Sequence, residues 1–164
     1  MPNLIVTVLL IIGFIMLSKK TTGLLESSGL GNLSLPRGLR NNNPFNLIKT
    51  DIKWNGKLKN SSDSKFEQFE NYFYGLRAGM IDLRTDIKKG KNTLFDLMHE
   101  FAPSSENDTT AYIKRLATAT GLSPTDALTF DAIPVLSMRI IEVENGSCPF
   151  SLNDLIKVYK NLDS

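Results

Sequence analysis

The sequence predicts a mainly helical domain with a small β-lobe near its start, an α+β fold, preceded by one N-terminal transmembrane helix. Three observations support this prediction. Apolar residues recur at helical spacing through the second half of the chain. Polar turns separate short aromatic stretches in the segment that precedes this helical part, and an uncharged apolar run lies near the N-terminus. With 164 residues, the chain is long enough for one domain with a substantial core and too short for two of ordinary size.

The N-terminal segment is expected to lie in a membrane. Residues 4–17 carry no charge, and together with their uncharged neighbours they make residues 1–18 about long enough to span a bilayer. A cleaved signal peptide is the alternative, but the first three residues lack the positive charge with which such peptides begin. Lys19 and Lys20 follow the run and would keep the rest of the chain on the cytoplasmic side. Residues 19–36 are polar and Gly-rich, which predicts a linker to a globular domain over 37–164.

The overall composition argues against several classes of function. Nineteen basic and seventeen acidic side chains give a net charge of +2 with no basic block, which disfavours nucleic-acid binding. Cys148 and His99 are the only residues of their types, so the sequence supports neither a disulfide framework nor a Cys/His zinc site. The chain also has no phosphate loop, dinucleotide fingerprint or Ser/His/Asp set, and we expect neither a metal nor a cofactor.

The β-lobe is predicted between residues 48 and 70. Asn55-Gly56 is a strong hairpin-turn pair, and the stretch around Phe66 and Phe69 is typical of a short edge strand. We therefore expect a two- or three-stranded sheet that carries Trp54, the chain's single tryptophan.

Helices are predicted over the rest of the domain. The spacing of Leu76, Met80, Leu83 and Ile87 indicates one apolar helix face, starting near residue 74 and ending at residue 90. Capping and stop residues predict five further helices. The first covers residues 92–101, and the second runs from a cap within 107–109 to a stop at 121. A short third helix begins at residue 123, the fourth covers 132–144 with residue 131 as its cap, and the fifth begins at residue 151.

The most distinctive stretch is residues 37–47, RGLRNNNPFNL. Three consecutive asparagines before a proline are incompatible with a helix interior and predict an ordered turn. One interpretation is a capped corner between two elements. The other is a platform of amide groups lining a groove for a neutral polar polymer such as a glycan.

Glu144 is the carboxyl group that the sequence favours for chemistry. It follows an apolar run and lies in the last turn of its predicted helix, just before Asn145-Gly146. The helix macrodipole and apolar neighbours both favour the uncharged form there, which is the form a general acid needs. The alternative is an exposed glutamate at a helix end with no functional role.

Several motifs resemble, in this order, a family of small bacteriophage proteins commonly described as structural virion proteins. The resemblance covers roughly residues 37 to 150 and rests on residues 37–46, Trp54-x-Gly56, Phe66 and Phe69, Gly75-Leu76-Arg77-Ala78, Ala102-Pro103, residues 106–109 with Tyr112, and Glu144-Asn145-Gly146. It implies a membrane-associated virion protein that contacts other virion proteins. The chain departs from the family at Phe45, where glycine is frequent.

The same residues are similar, more distantly, to the lysozyme superfamily, especially its glucosaminidase and lytic transglycosylase branches. There a helix ends in Glu-Ser-Gly, and Asn-Pro-Phe, Trp-x-Gly and an aromatic strand follow. Here the glutamate motif comes after the asparagine motif, which would suit a circularly permuted lysozyme-like domain. Glu26 in Glu26-Ser27-Ser28-Gly29 is an alternative catalytic residue in the unpermuted order, and Glu70 and Glu67 are further candidates.

The resemblance implies a membrane-anchored virion protein that binds peptidoglycan and cleaves it as a glycoside hydrolase or lytic transglycosylase, with Glu144 as catalytic acid. The implied substrate-binding residues are Asn42, Asn43, Asn46, Trp54, Phe66 and Phe69. The expected partners are a lipid bilayer through residues 4–17, peptidoglycan and other virion proteins, and the expected location is the virion membrane or the host inner membrane. The alternative is a non-catalytic structural protein packed between membrane and capsid.

Overall fold

Six α-helices provide most of the regular structure in residues 35–101 and 108–163, the parts of the chain that the computed structural model describes. The mainly helical prediction is confirmed. In chain order the helices are α1 (Arg37–Arg40), α2 (Tyr72–Lys88), α3 (Leu94–Phe101), α4 (Thr109–Thr120), α5 (Ile133–Asn145) and α6 (Leu152–Lys160), with a 3-10 turn at Phe130–Ala132 before α5.

The predicted transmembrane segment, most of the predicted linker and the alternative catalytic residue Glu26 lie outside the described residues. Among the helices described, none is both long enough and apolar enough to cross a bilayer.

Helix α2 confirms the apolar face that the sequence predicts. Leu76, Met80, Leu83 and Ile87 are all buried, at 9% exposure or less. The helix begins two residues earlier than the predicted start, because the Asn71 side chain caps it by accepting a hydrogen bond from the backbone N–H of residue 74.

Two of the later helices, α4 and α6, have the caps that the sequence predicts. Asp108 accepts from the backbone N–H of residue 111 at the start of α4, and Gly121 ends that helix in the left-handed conformation, with φ +72°. Ser151 and Asp154 form a reciprocal capping box at the start of α6. These ends are local features, and the sequence is sufficient to specify them.

The short helix predicted from Ser123 is absent, and residues 121–129 form bends and irregular backbone instead. The backbone N–H of Leu128 donates to the carbonyl of Asn92, and that of Phe95 donates to the carbonyl of Pro124. The segment therefore places its hydrogen bonds on the start of α3 rather than within itself. Asp131 does not cap α5 either, because it lies inside the 3-10 turn that leads into that helix.

The predicted sheet is also wrong for the described residues. Residues 48–70 make two isolated antiparallel bridges, Ile48 with Phe66 and Lys57 with Phe69, and no continuous strands. The Asn55-Gly56 turn does form, with Gly56 at φ +67°. Strand pairing stops early because side chains take the backbone N–H groups that a ladder would use, as at Thr50, Ser62, Lys65 and Phe66.

Helix α5 is at the centre of the core. It packs against α1, α2, α4 and α6, and Ile133, Leu136, Ile140 and Ile141 are fully buried. Because four helices pack around α5, its C-terminal turn is held in a fixed position, and that turn carries Glu144.

Candidate functional site

The asparagine stretch is an ordered turn, as predicted, and most of its amides hold the fold together. Asn43 is fully buried; its side chain donates to the carbonyls of Leu47 and Glu67 and accepts from the backbone N–H of Leu47. Asn42, at φ +50°, donates to the carbonyl of Phe69. These contacts join the turn to the loop of residues 61–69.

Asn46 differs from the other asparagines because it faces α5. Its backbone is in the left-handed region, at φ +53°, a conformation that asparagine tolerates better than most residues. Its Nδ2 donates to Oε2 of Glu144 at 2.8 Å. The next residue on α5, Asn145, donates to the carbonyl of Pro44 at 2.7 Å, so two bonds join the turn to the end of α5.

Glu144 is half-buried in the last turn of α5, and Gly146 ends the helix in the left-handed conformation. Its second oxygen, Oε1, accepts a hydrogen bond from the hydroxyl of Tyr112 on α4 at 3.0 Å. Burial, followed by the charge of Glu144, raises the pKa of Tyr112, so the phenol stays protonated. Both hydrogen-bond donors to Glu144 are therefore neutral groups.

Glu144 faces a cleft of about 460 Å³ between the end of α5, one face of α2 and the loop that follows the asparagine turn. The cleft brings together four of the predicted site residues: Glu144, Asn46, Trp54 and Phe66. Phe45, Leu47, Ile48, Thr50, Ile52 and Lys65 add to its walls.

The other predicted site residues within the described parts of the chain do not line this cleft. Asn43 and Phe69 are buried at 0% and 1% exposure, and Asn42 bonds to backbone beneath the turn. The side chains of Asn43 and Phe69 therefore offer almost no exposed surface for a ligand to contact in this structure. Glu70 is exposed and lies outside the cleft, so its alternative catalytic role stays a prediction.

One end of the cleft is acidic, which the sequence reasoning did not anticipate. Asp82 and Asp86 of α2 and Glu100 of α3 line it, with Lys89 beside them. Burial, the strongest cause, and the charges of Asp86 and Glu100 raise the pKa of Asp82 to about 6, against the opposing effect of Lys89 and Lys91. The spacing in the sequence could have indicated this acidic face. Four residues of α2 follow one another at intervals of four, three and four, which places them on one helix face: Gly75, Gly79, Asp82 and Asp86.

A second and larger groove of about 830 Å³ shares Thr50 with this cleft. Its one candidate residue is Glu67, which is fully buried and paired with Lys57 at 2.7 Å. Within residues 35–101 and 108–163, no cluster of His, Cys, Asp or Glu side chains has the arrangement of a metal site.

Comparison with known proteins places the chain among bacteriophage proteins. No family model matches the sequence. Over 128 residues the chain is 34% identical to Protein P5 of Pseudoalteromonas phage PM2, a match that spans 76% of this chain and 80% of that protein. The chain therefore belongs to the family of Protein P5, a family of phage structural proteins.

Proposed function

We propose that this chain is a virion protein whose helical domain binds peptidoglycan and cleaves its glycan strands when the phage enters or leaves the host cell. The observation that carries the proposal is the setting of Glu144. It lies at the end of a buried helix, accepts hydrogen bonds from Asn46 and Tyr112, and faces a cleft. A carboxyl group in a fixed position beside a groove is what acid–base cleavage of a glycosidic bond requires.

The walls of the cleft support a glycan as the ligand. Trp54 and Phe66 are half-buried there and offer aromatic surface on which the C–H faces of sugar rings can pack. Thr50 and Lys65 add polar groups, and Ile48 and Ile52 are about half exposed at the same cleft. This mixture of apolar faces and a few polar groups is typical of small-molecule and saccharide clefts.

The lysozyme-like interpretation gains support from one juxtaposition. The two motifs that resemble that superfamily, Asn43-Pro44-Phe45-Asn46 and Glu144-Asn145-Gly146, are almost a hundred residues apart and are joined by direct hydrogen bonds. That contact is what a circularly permuted lysozyme-like domain requires.

The location of the domain is part of the proposal. Residues 4–17 are uncharged and would attach the domain to the virion membrane or the host inner membrane, where it would contact other virion proteins. Removing residues 1–18 should then release the protein from membranes in a flotation assay.

The test is zymography of the full chain in mild detergent on purified peptidoglycan. We expect the unchanged protein to clear the cell wall and Glu144→Gln to leave it intact. Glu142→Gln is the matched control: it removes a charge two residues away on the same helix, where Glu142 pairs with Arg139 outside the cleft. Circular dichroism checks that all three proteins are folded.

Two results would overturn the proposal. Clearing by Glu144→Gln would remove Glu144 from the chemistry. No clearing by the folded unchanged protein would favour the non-catalytic alternative, a structural protein between membrane and capsid.

A further inference from the structure

We propose that Asp82 is a second catalytic carboxyl group of this cleft, and that it supplies the proton to the glycosidic oxygen while Glu144 acts on the attacking water. This inference rests on the proposed glycosidase function and divides its chemistry between two residues.

The position of Asp82 follows from how closely α2 approaches the asparagine turn. Gly75 has no room for a side chain, because a Cβ there would lie 1.8 Å from the carbonyl oxygen of Asn42, and a Cβ at Gly79 would lie 2.2 Å from the ring of Phe45. The turn therefore lies directly on this face of the helix. Asp82 is the next residue along the face, beyond Phe45, and both line the cleft that holds Glu144.

The two carboxyl groups have opposite surroundings. Glu144 accepts one hydrogen bond on each oxygen, from Asn46 and Tyr112, and is thus held as an acceptor. Within residues 35–101 and 108–163, Asp82 forms no hydrogen bond or ion pair, and burial is the main influence on it. Two carboxyl groups in one cleft, one bonded and one desolvated, divide naturally into a proton acceptor and a proton donor.

The charges around Asp82 strengthen this division. Asp86 on its own helix and Glu100 on α3 repel a negative charge, while Lys89 and Lys91 attract one. Lys65 and Glu144 complete the charged lining of the cleft. The net result is a pKa of about 6. Half of the Asp82 population is then protonated at about pH 6, and roughly a tenth of it at pH 7.

The Asp82 carboxyl proton moves to the glycosidic oxygen as the bond between that oxygen and the anomeric carbon breaks, and the leaving sugar departs as an alcohol. Water bonds to the anomeric carbon, and its proton moves to the Glu144 carboxylate. Glu144 then releases that proton to solvent and Asp82 takes one up, so one water is consumed and both groups return to their first state.

The test measures the rate at which the full chain in mild detergent releases soluble fragments from purified peptidoglycan between about pH 4 and 9, with the fragments identified by mass. The expected rate falls as pH rises through about 6, where Asp82 loses its proton. Asp82→Asn should lower the rate at pH 5 by about 100-fold or more and abolish this fall. Asp82→Glu should restore the fall in rate with rising pH. Asp86→Asn should move that fall to lower pH, because a negative charge beside Asp82 is gone.

Other variants separate this inference from the proposed function. Asp126→Asn, exposed and outside the cleft, should leave the rate unchanged. If Asp82→Asn keeps the original rate and pH profile while Glu144→Gln is inactive, the proposed function stands and the role of Asp82 is refuted. Fragments ending in an anhydro sugar, without added water, would refute the role of Glu144 towards water. If the folded protein releases no fragments, both proposals fail.

Discussion

Two regions of this molecule use carboxyl groups in opposite ways. In the loop of residues 61–69, Asp63 binds Arg37 through both carboxylate oxygens at 2.7 Å, and Glu67 pairs with Lys57. In the cleft, Glu144 accepts from neutral donors and Asp82 lies near other acids. The Arg37 partner fixes Asp63 in its charged form and stabilises the fold. Asp82 has no such hydrogen-bonded cation within the described residues, and it is free to exchange a proton.

The pKa values follow the same contrast. The hydrogen bond from Arg37 holds the pKa of Asp63 well below its usual range, with help from Asn41 and the backbone of residues 65 and 66. Burial raises that of Asp82 to about 6. The loop is therefore expected to contribute stability, and the cleft to contribute chemistry at some cost in stability.

The largest expected effect is on activity at Glu144. Glu144→Gln should lower peptidoglycan cleavage by about 1000-fold, because an amide cannot take up the proton. Thermal unfolding should change little, since the Gln side chain still accepts from Tyr112 or Asn46. A large loss of stability with cleavage intact would mean that Glu144 stabilises the fold, as Glu67 does, and has no part in the chemistry.

Glu67→Gln should show the opposite pattern. Glu67 is fully buried, binds Lys57 and accepts from the backbone N–H of Thr50. Glu67→Gln removes the ion pair and leaves the Lys57 ammonium with uncharged acceptors only, among them the carbonyls of Thr50 and Ile52. The change should destabilise the domain by about 3 kcal/mol in urea unfolding. Specific activity of the folded fraction should be unchanged, and a selective loss of activity would revive Glu67 as a catalytic candidate.

Asp82→Asn should stabilise the domain, and only at higher pH. A folded-state pKa of about 6, above the usual 3.8, means that the stability contributed by this group is present below about pH 4 and lost as pH rises through about 6. The variant cannot undergo that loss, so it should be more stable by about 2 kcal/mol at pH 8 and nearly equal at pH 4. Urea unfolding at both pH values measures this, and equal stability at pH 8 would contradict the raised pKa.

The smallest expected effect is at Tyr112. Tyr112→Phe removes the hydroxyl that donates to Glu144 and keeps the ring in the core. Losing one hydrogen bond that positions the carboxyl group should lower cleavage by about tenfold, which corresponds to about 1.4 kcal/mol. Peptidoglycan release by the purified variant checks this, with Tyr159→Phe as a control because its hydroxyl belongs to another region. An unchanged rate would mean that Asn46 is sufficient to position Glu144.

Prediction from sequence succeeds for the features that depend on near neighbours in the chain. The apolar face of α2, the Asp108 and Ser151 caps and the asparagine turn depend on neighbours within a few residues. The predictions of a short helix from Ser123 and of a small sheet are wrong. The backbone groups of these segments bond to partners far along the chain or to side chains, and local sequence patterns do not indicate such bonds.

The sequence by itself determined a mainly helical domain, its caps, the asparagine turn and Glu144 at the end of a helix, because each of these follows from short-range spacing and backbone preference. Only the tertiary structure decided that Asn46 reaches Glu144, that Asn43 and Phe69 are buried, and that Asp82 shares the cleft. The physical reason is that side-chain direction and desolvation depend on which elements pack together. In this protein the packing depends on Gly75 and Gly79 of α2, which allow the helix to approach the asparagine turn closely.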